Sequence, residues 1–404
     1  MITVKAAKTP TKSNQKFGLA LAGGGPLGGF YELGALCALE DCLEPLDMTE
    51  MDIYVGVSAG AFIAAGLANG IDLRTMAKIF VFSHRTETPF NPDHFLQPAY
   101  KDYLLNLAKT PHLISKTILK WLKHPLKTSV VDMLEMAGKA LPAGVFNNEK
   151  LENFLRTIIE DHGQTNDFRQ LKKHLYVVAC ELNSGRIAAF GNNSNNHIPI
   201  SKAVQASSAL PGLYSPVKIE GKYYVDGALR RTMNASAALK QDTQLLFAVN
   251  PIVPFERDIK INEKGLTEGG LPLVLSQTFR SIVQSRLKSG LDKYESLYPQ
   301  ADIILAEPDA DDETLFNSNL FSYSKRDQLC DYAYQLTRNH LRAQQDQIIP
   351  VLERHGIYLN HKNLHEKGRT IHAFLDQKTK HAQWTENLNQ SLDALERNIR
   401  AANS

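Results

Sequence analysis

VGVSAG, residues 55–60, sets a serine between two glycines where an apolar strand gives way to an Ala-rich run, AFIAAGLANG. DIYVGV, residues 52–57, has the continuous apolar character of a strand buried on both faces. The run after Ser58 reads as a helix, with Gly70 near its C-terminal end. A strand, a GxSxG turn and a helix together are the signature of a nucleophile elbow. Gly56 and Gly60 let strand and helix backbones approach, and the helix directs its positive end at the serine. The pentapeptide also fits a plain strand-to-helix turn with a capping serine, so its surroundings decide between the two.

The surroundings repeat the pattern. FGLALA (17–22) reads as a short buried strand running into GGGPLGG (23–29), a turn, and then FYELGALCALEDCLE has helical spacing. HLYVVACEL (174–182), QLLFAVN (244–250) and ADIILAE (301–307) are further strands, and ISKAVQASSAL (200–210) is a helix. Apolar strands alternating with helices predict an α/β fold, a mostly parallel central sheet covered by helices on both faces. Residues 1–16 read as a flexible tail and 17–310 as the catalytic domain. Within it, about 100–160 form a lysine-rich helical insertion without strands. Residues 311–404 form a helical C-terminal extension. There Trp384, Leu388, Leu392, Leu395 and Ile399 make an apolar stripe suited to docking on the body.

Composition narrows the function classes. The chain has 404 residues, 43% hydrophobic and 22% charged, with a formal net charge of +2. Nothing global in that balance points to nucleic acid. Lysines without an apolar core at the N-terminus do not make a Sec-type signal peptide, and no apolar run is long enough for a transmembrane helix. Cytoplasmic residence, with peripheral membrane contact as an option, is the expectation. Cys37, Cys42, Cys180 and Cys330 lack metal-site spacing and read as buried thiols. No metal and no cofactor are expected.

GGGPLG strengthens the hydrolase reading. Acyl transfer through a serine ester needs backbone N–H donors aimed at an oxyanion, and a glycine loop between strand and helix supplies them. Gly23, Gly25 and Gly28 also fit GxGxxG, the dinucleotide fingerprint. That reading wants an acid at the end of the next strand, whereas Asp52 stands at its start. A serine needs a base. None of the 13 histidines lies in a glycine-rich turn beside a strand, whereas KYYVDGALR places Asp226 at a strand end directly before Gly227.

In order, GGGPLG, GVSAG, ASSALPGLYSPV (206–217) and Asp226-Gly227 resemble the patatin-like phospholipases, across residues 17 to about 252. The resemblance implies a Ser–Asp dyad without histidine, Ser58 as nucleophile and Asp226 as base. It also implies Gly23, Gly24 and Gly25 around the oxyanion hole, and hydrolysis of lipid acyl esters. Leu27 replaces a basic residue of many members, Pro26 has no N–H, and Ala228 and Thr232 replace a glycine and an asparagine. These leave the dyad intact and bear on headgroup preference. Because a free aspartate has a pKa of about 3.9, a base at this position calls for a buried, water-poor setting.

LISKTILKWLKHPLK (113–127) gathers Ile114, Ile118, Trp121 and Leu122 on one helical face, with Lys116, Lys120, Lys123 and Lys127 opposite. That is the composition of a membrane-surface helix, and equally of a helix packed on its own protein. The substrate expected is a glycerophospholipid or another long-chain acyl ester. A Ser–His–Asp hydrolase, acyl transfer to an alcohol, and a catalytically idle lipid-binding protein on the same fold are the alternatives.

Overall fold

The five apolar strands read from the sequence form the parallel centre of a nine-stranded sheet. The structure, a computed structural model, describes residues 1–9, 15–82, 97–98, 143–256, 270–312 and 325–377. In chain order the sheet comprises β1 (Ile2–Lys5), β2 (Phe17–Leu21), β3 (Ile53–Val57), β4 (His174–Glu181) and β5 (Ile187–Phe190). It continues with β6 (Val217–Ile219), β7 (Lys222–Asp226), β8 (Leu245–Val249) and β9 (Asp302–Ala306). Followed from one hydrogen-bonded neighbour to the next, the path is β1-β9-β8-β2-β3-β4-β7-β6, with β5 also paired to β4. β9, β8, β2, β3 and β4 run parallel, and β1, β5, β6 and β7 add antiparallel flanks.

Strand side chains alternate between faces, so each central strand feeds two apolar layers. Leu19, Leu21, Leu245, Phe247 and Val249 lie in one, and Ala20, Val55, Val57, Leu246 and Ala248 in the other. Each fully buried Leu or Phe contributes on the order of 1.5–3 kcal/mol of transfer free energy. This is why these strands read as unbroken apolar runs.

The helices are α1 (Gly25–Cys42), α2 (Ala59–Ala68), α3 (Leu73–Phe80) and α4 (Glu149–Asp161). Then follow α5 (Ile200–Ser207), α6 (Gly270–Leu297) and α7 (Arg326–Ala343). Helix α2 is buried almost all round, which only a helix between sheet and other helices can be. α7 lies so close on α1 that a Cβ at Gly34 would stand 2.1 Å from the Cys330 carbonyl oxygen.

Three parts differ from the sequence reading. The N-terminus is not wholly a flexible tail: Ile2–Lys5 pair antiparallel with β9, and the Ile2 side chain is buried. Ile2 and Val4 supply one apolar face, too short a pattern to stand out in a lysine-rich segment. The stretch about 100–160 is not strand-free, because Gly144–Asn147 pair with Gly212–Tyr214. The C-terminal helices are continuous with the main core, which runs from Ile2 to Leu375. The amphipathic stretch 113–127 and the Trp384–Ile399 stripe lie outside the described residues.

One register positions the site. On β4, residues 177–180 pair with β5 along one edge, so β3 and β7 must share the other. β3 runs along it to Val57 opposite Val178, and β7 comes the other way to Asp226 opposite Ala179. The two strands meet end to end.

Candidate active site

Ser58 is the residue between β3 and α2, with φ 54° and ψ −124°. Non-glycine residues seldom occupy this conformation, which costs on the order of 1–3 kcal/mol and persists only where surroundings enforce it. The surroundings are tight. A Cβ at Gly56 would lie 2.4 Å from the Ala61 Cα, and one at Gly60 2.5 Å from the Ala22 carbonyl oxygen. The Ser58 N–H donates to Ser207 Oγ at 2.8 Å, and that hydroxyl donates to the Val178 carbonyl at 2.6 Å. Ser207 thereby ties the turn to β4. α2 begins at Ala59, so its positive end lies at the serine.

Asp226 ends β7 and is 3% exposed. Its N–H donates to the Ala209 carbonyl at 2.9 Å, and its Oδ1 accepts from the Ala228 N–H at 2.8 Å. The Ser58 hydroxyl neighbours this carboxylate, and the two residues line one cavity. Burial pushes the Asp226 carboxyl up to about 6, against the lowering effect of the Ala228 N–H and the neighbouring Ser58 hydroxyl. The side chain is buried, although it borders a cavity. Gly227 must be glycine, since a Cβ would stand 2.3 Å from the Val178 carbonyl oxygen.

The glycine loop closes over the serine. A Cβ at Gly23 would come within 2.6 Å of Ser58 Cβ. Gly24 (φ 154°) and Gly25 (φ 62°) adopt backbone conformations that suit glycine and lead into α1. Among the described residues neither of these two amides donates to a backbone carbonyl. Pro26 follows within the first turn of α1 and, having no N–H, adds no donor.

Two cavities open at Ser58. One, of about 410 Å³, is lined by Gly24, Gly25, Leu27, Asp226, Leu275 and Arg280 among others. The second, of about 80 Å³, is apolar, with Phe30, Leu33, Phe62, Ile63, Phe80 and Leu151 in its wall. No histidine lines either cavity among the described residues. His340 bonds Asp309 and His355 bonds Asp302, each in the helical C-terminal part of the core. No three His, Cys, Asp or Glu residues are grouped to hold a metal ion among the described residues, and all four cysteines are buried and free.

A model of the patatin-like phospholipase family matches residues 19–239. The chain belongs to that family. This patatin-like chain is 29% identical over 239 residues to an uncharacterised protein of Acanthamoeba polyphaga mimivirus, covering 58% of the chain and 65% of the relative. It is 21% identical to a probable lipid hydrolase of Invertebrate iridescent virus 6, over 54% of the chain and 61% of the relative. The chain thus spans less than two thirds of the length of either. Among solved structures it resembles VipD from Legionella pneumophila, at 16% identity and a TM-score of 0.38, over 83% of this chain and 69% of that one.

The patatin-like fold brings together Ser58, Asp226, Gly23, Gly24, Gly25, Gly56 and Gly60. Sequence reading left Ser207 and Arg280 unassigned. Ser207 lies inside ASSALPGLYSPV, so the motif was visible while its bond to a residue 149 positions away was not. Arg280 has no motif and reaches the cavity from the middle of α6.

Proposed function

We propose that the chain hydrolyses acyl esters of lipids through a Ser58–Asp226 dyad. The observation that carries this reading is that Ser58, held at φ 54°, and the buried carboxylate of Asp226 line one cavity, with that carboxyl raised to about 6. Asp226 takes the serine proton as Ser58 Oγ attacks the ester carbonyl, forming a tetrahedral oxyanion. The amides of Gly24 and Gly25, with Gly23 holding the loop against the serine, receive that charge. One such donor is worth roughly 3–4 kcal/mol in the transition state. The proton passes from Asp226 to the leaving alcohol, and an acyl-enzyme remains. Water then attacks this ester with Asp226 again as base, releasing the fatty acid and restoring Ser58.

The lining supports a lipid substrate. The 80 Å³ pocket offers aromatic and aliphatic walls to an acyl chain. Leu275 lines the larger cavity yet is 58% exposed, so apolar surface continues outward from the site. Arg280, also in that cavity, supplies positive charge for a phosphodiester where Leu27 supplies none.

The test is hydrolysis of mid-chain p-nitrophenyl esters and mixed phospholipid vesicles in EDTA, comparing wild type, Ser58→Ala and Asp226→Asn as folded proteins. Turnover by wild type with loss of orders of magnitude in both variants supports the dyad. Vesicle binding without turnover in any form would favour an idle lipid-binding protein. Loss of activity on substituting a C-terminal histidine alone would favour a histidine base.

A further inference from the structure

A separate cleft, of about 630 Å³, lies between the segment that follows the Asp226 loop and the C-terminal half of α6. Arg230, Arg231, Lys240, Arg286 and Lys293 line it, and among the described residues no acidic one does. Among the described residues none of the five has a carboxylate partner. In a chain whose net charge is +2, so local a surplus is not a consequence of composition.

The arrangement is built from neutral acceptors. Arg231 Nη1 donates to Ser236 Oγ at 2.7 Å and to Asn234 Oδ1 at 3.3 Å. Asn234 is itself buried and held at φ 45°. Arg286 Nη1 donates to the Leu229 carbonyl oxygen. Both guanidinium groups are thus oriented without being neutralised, and each keeps donors for another anion. The acids on this part of α6 face elsewhere: Asp292 pairs with Lys5, and Glu295 with Lys5 and Lys8. The hydroxyls of Tyr294 and Tyr298 add polar groups to the wall.

We propose that this cleft binds a phosphate-bearing anion with several negative charges, at a site separate from the Ser58 cavities. Three guanidinium forks and two ammonium groups around one concavity match phosphate oxygens, and several charges on the ligand are needed to engage several cations at once. The same chemistry is presented by a phosphomonoester lipid headgroup and by a soluble polyphosphate.

The experiment titrates tripolyphosphate into the full chain by calorimetry at low and moderate NaCl. Arg230→Gln/Lys293→Gln removes two cations that hold no loop, and Lys150→Gln/Lys172→Gln removes the same charge from elsewhere on the surface. The expected result is salt-sensitive binding by wild type, weakened about tenfold or more in the cleft variant. The control variant should stay within about twofold of wild type. Melting temperatures of all three report whether the fold is kept. Co-sedimentation with phosphatidylcholine vesicles containing phosphatidate then separates the sources. Capture that depends on Arg230 and Lys293 assigns the site to a membrane headgroup, and binding of tripolyphosphate alone assigns it to a soluble anion. Equal weakening in both variants would make the effect one of net charge, and no binding by wild type would remove the site; either result overturns the proposal.

Discussion

Ser58 and Asp226 stand at the facing ends of two strands laid along one edge of β4, Val57 opposite Val178 and Asp226 opposite Ala179. Adjacent positions on a strand are about 3.3 Å apart, so the register itself delivers the serine to the carboxylate. Neither side chain needs a mobile loop to reach the other. Four predictions follow from how that meeting is held.

The pH dependence of kcat/KM should reveal the base. Asp226 must be ionised to accept the serine proton, and burial raises its pKa to about 6. Activity on a soluble ester is expected to rise with unit slope to about pH 6 and then level off. An ascending limb centred well above 7, abolished by a histidine substitution, would assign the base elsewhere.

The same burial destabilises the fold. A carboxyl at about 6 in the folded state and 3.8 unfolded leaves stability whole below about pH 4 and loses it as pH rises through 6. Asp226→Asn should therefore be more stable than wild type at pH 8, by up to about 3 kcal/mol, with little difference at pH 4. Urea unfolding at the two pH values measures it. Equal differences at both would contradict a buried carboxylate.

Ser207→Ala removes both bonds that fasten the elbow to β4. It should cost about 1–3 kcal/mol of stability by leaving buried groups unpaired. It should also lower kcat more than it raises KM, because Ser58 is misplaced while the cavities remain. Gly23→Ala acts from the other side, its Cβ entering within 2.6 Å of Ser58 Cβ. Activity is expected to fall on the order of 10²-fold with the fold kept. A fully active Gly23→Ala would mean that the loop does not close on the serine.

How much of this was legible in the sequence follows from the range of each interaction. The elbow was readable because strand, turn and helix are contiguous, and Gly56 and Gly60 answer clashes a few residues away or with an adjoining strand. Asp226 was readable as a strand end, but its meeting with Ser58 depends on a register between strands far apart in sequence. β1 was missed because its partner lies some 300 positions later. The docking of α7 went unseen for the same reason. Gly34 looks like an ordinary helical glycine until α7 is laid against it. The cationic cleft draws on residues 230–240 and 285–298, neither of which reads as a basic run.

That docking gives a prediction of its own. Gly34→Ala would force α1 and α7 apart, since its Cβ meets backbone at 2.1 Å. A loss of about 1–3 kcal/mol or more, in a single transition, is expected from thermal or urea unfolding. Two separate transitions, only one of them shifted, would mean that the C-terminal helices fold as an independent unit.

The central claim, that Ser58 is the nucleophile and Asp226 its base, is tested most directly by covalent trapping. The full chain is treated with a long-chain fluorophosphonate in EDTA, and the adduct is located by peptide mass spectrometry. One adduct is expected, on Ser58, forming at a rate that falls by orders of magnitude in Asp226→Asn. An adduct on another serine, or unchanged ester hydrolysis by Ser58→Ala, would contradict it.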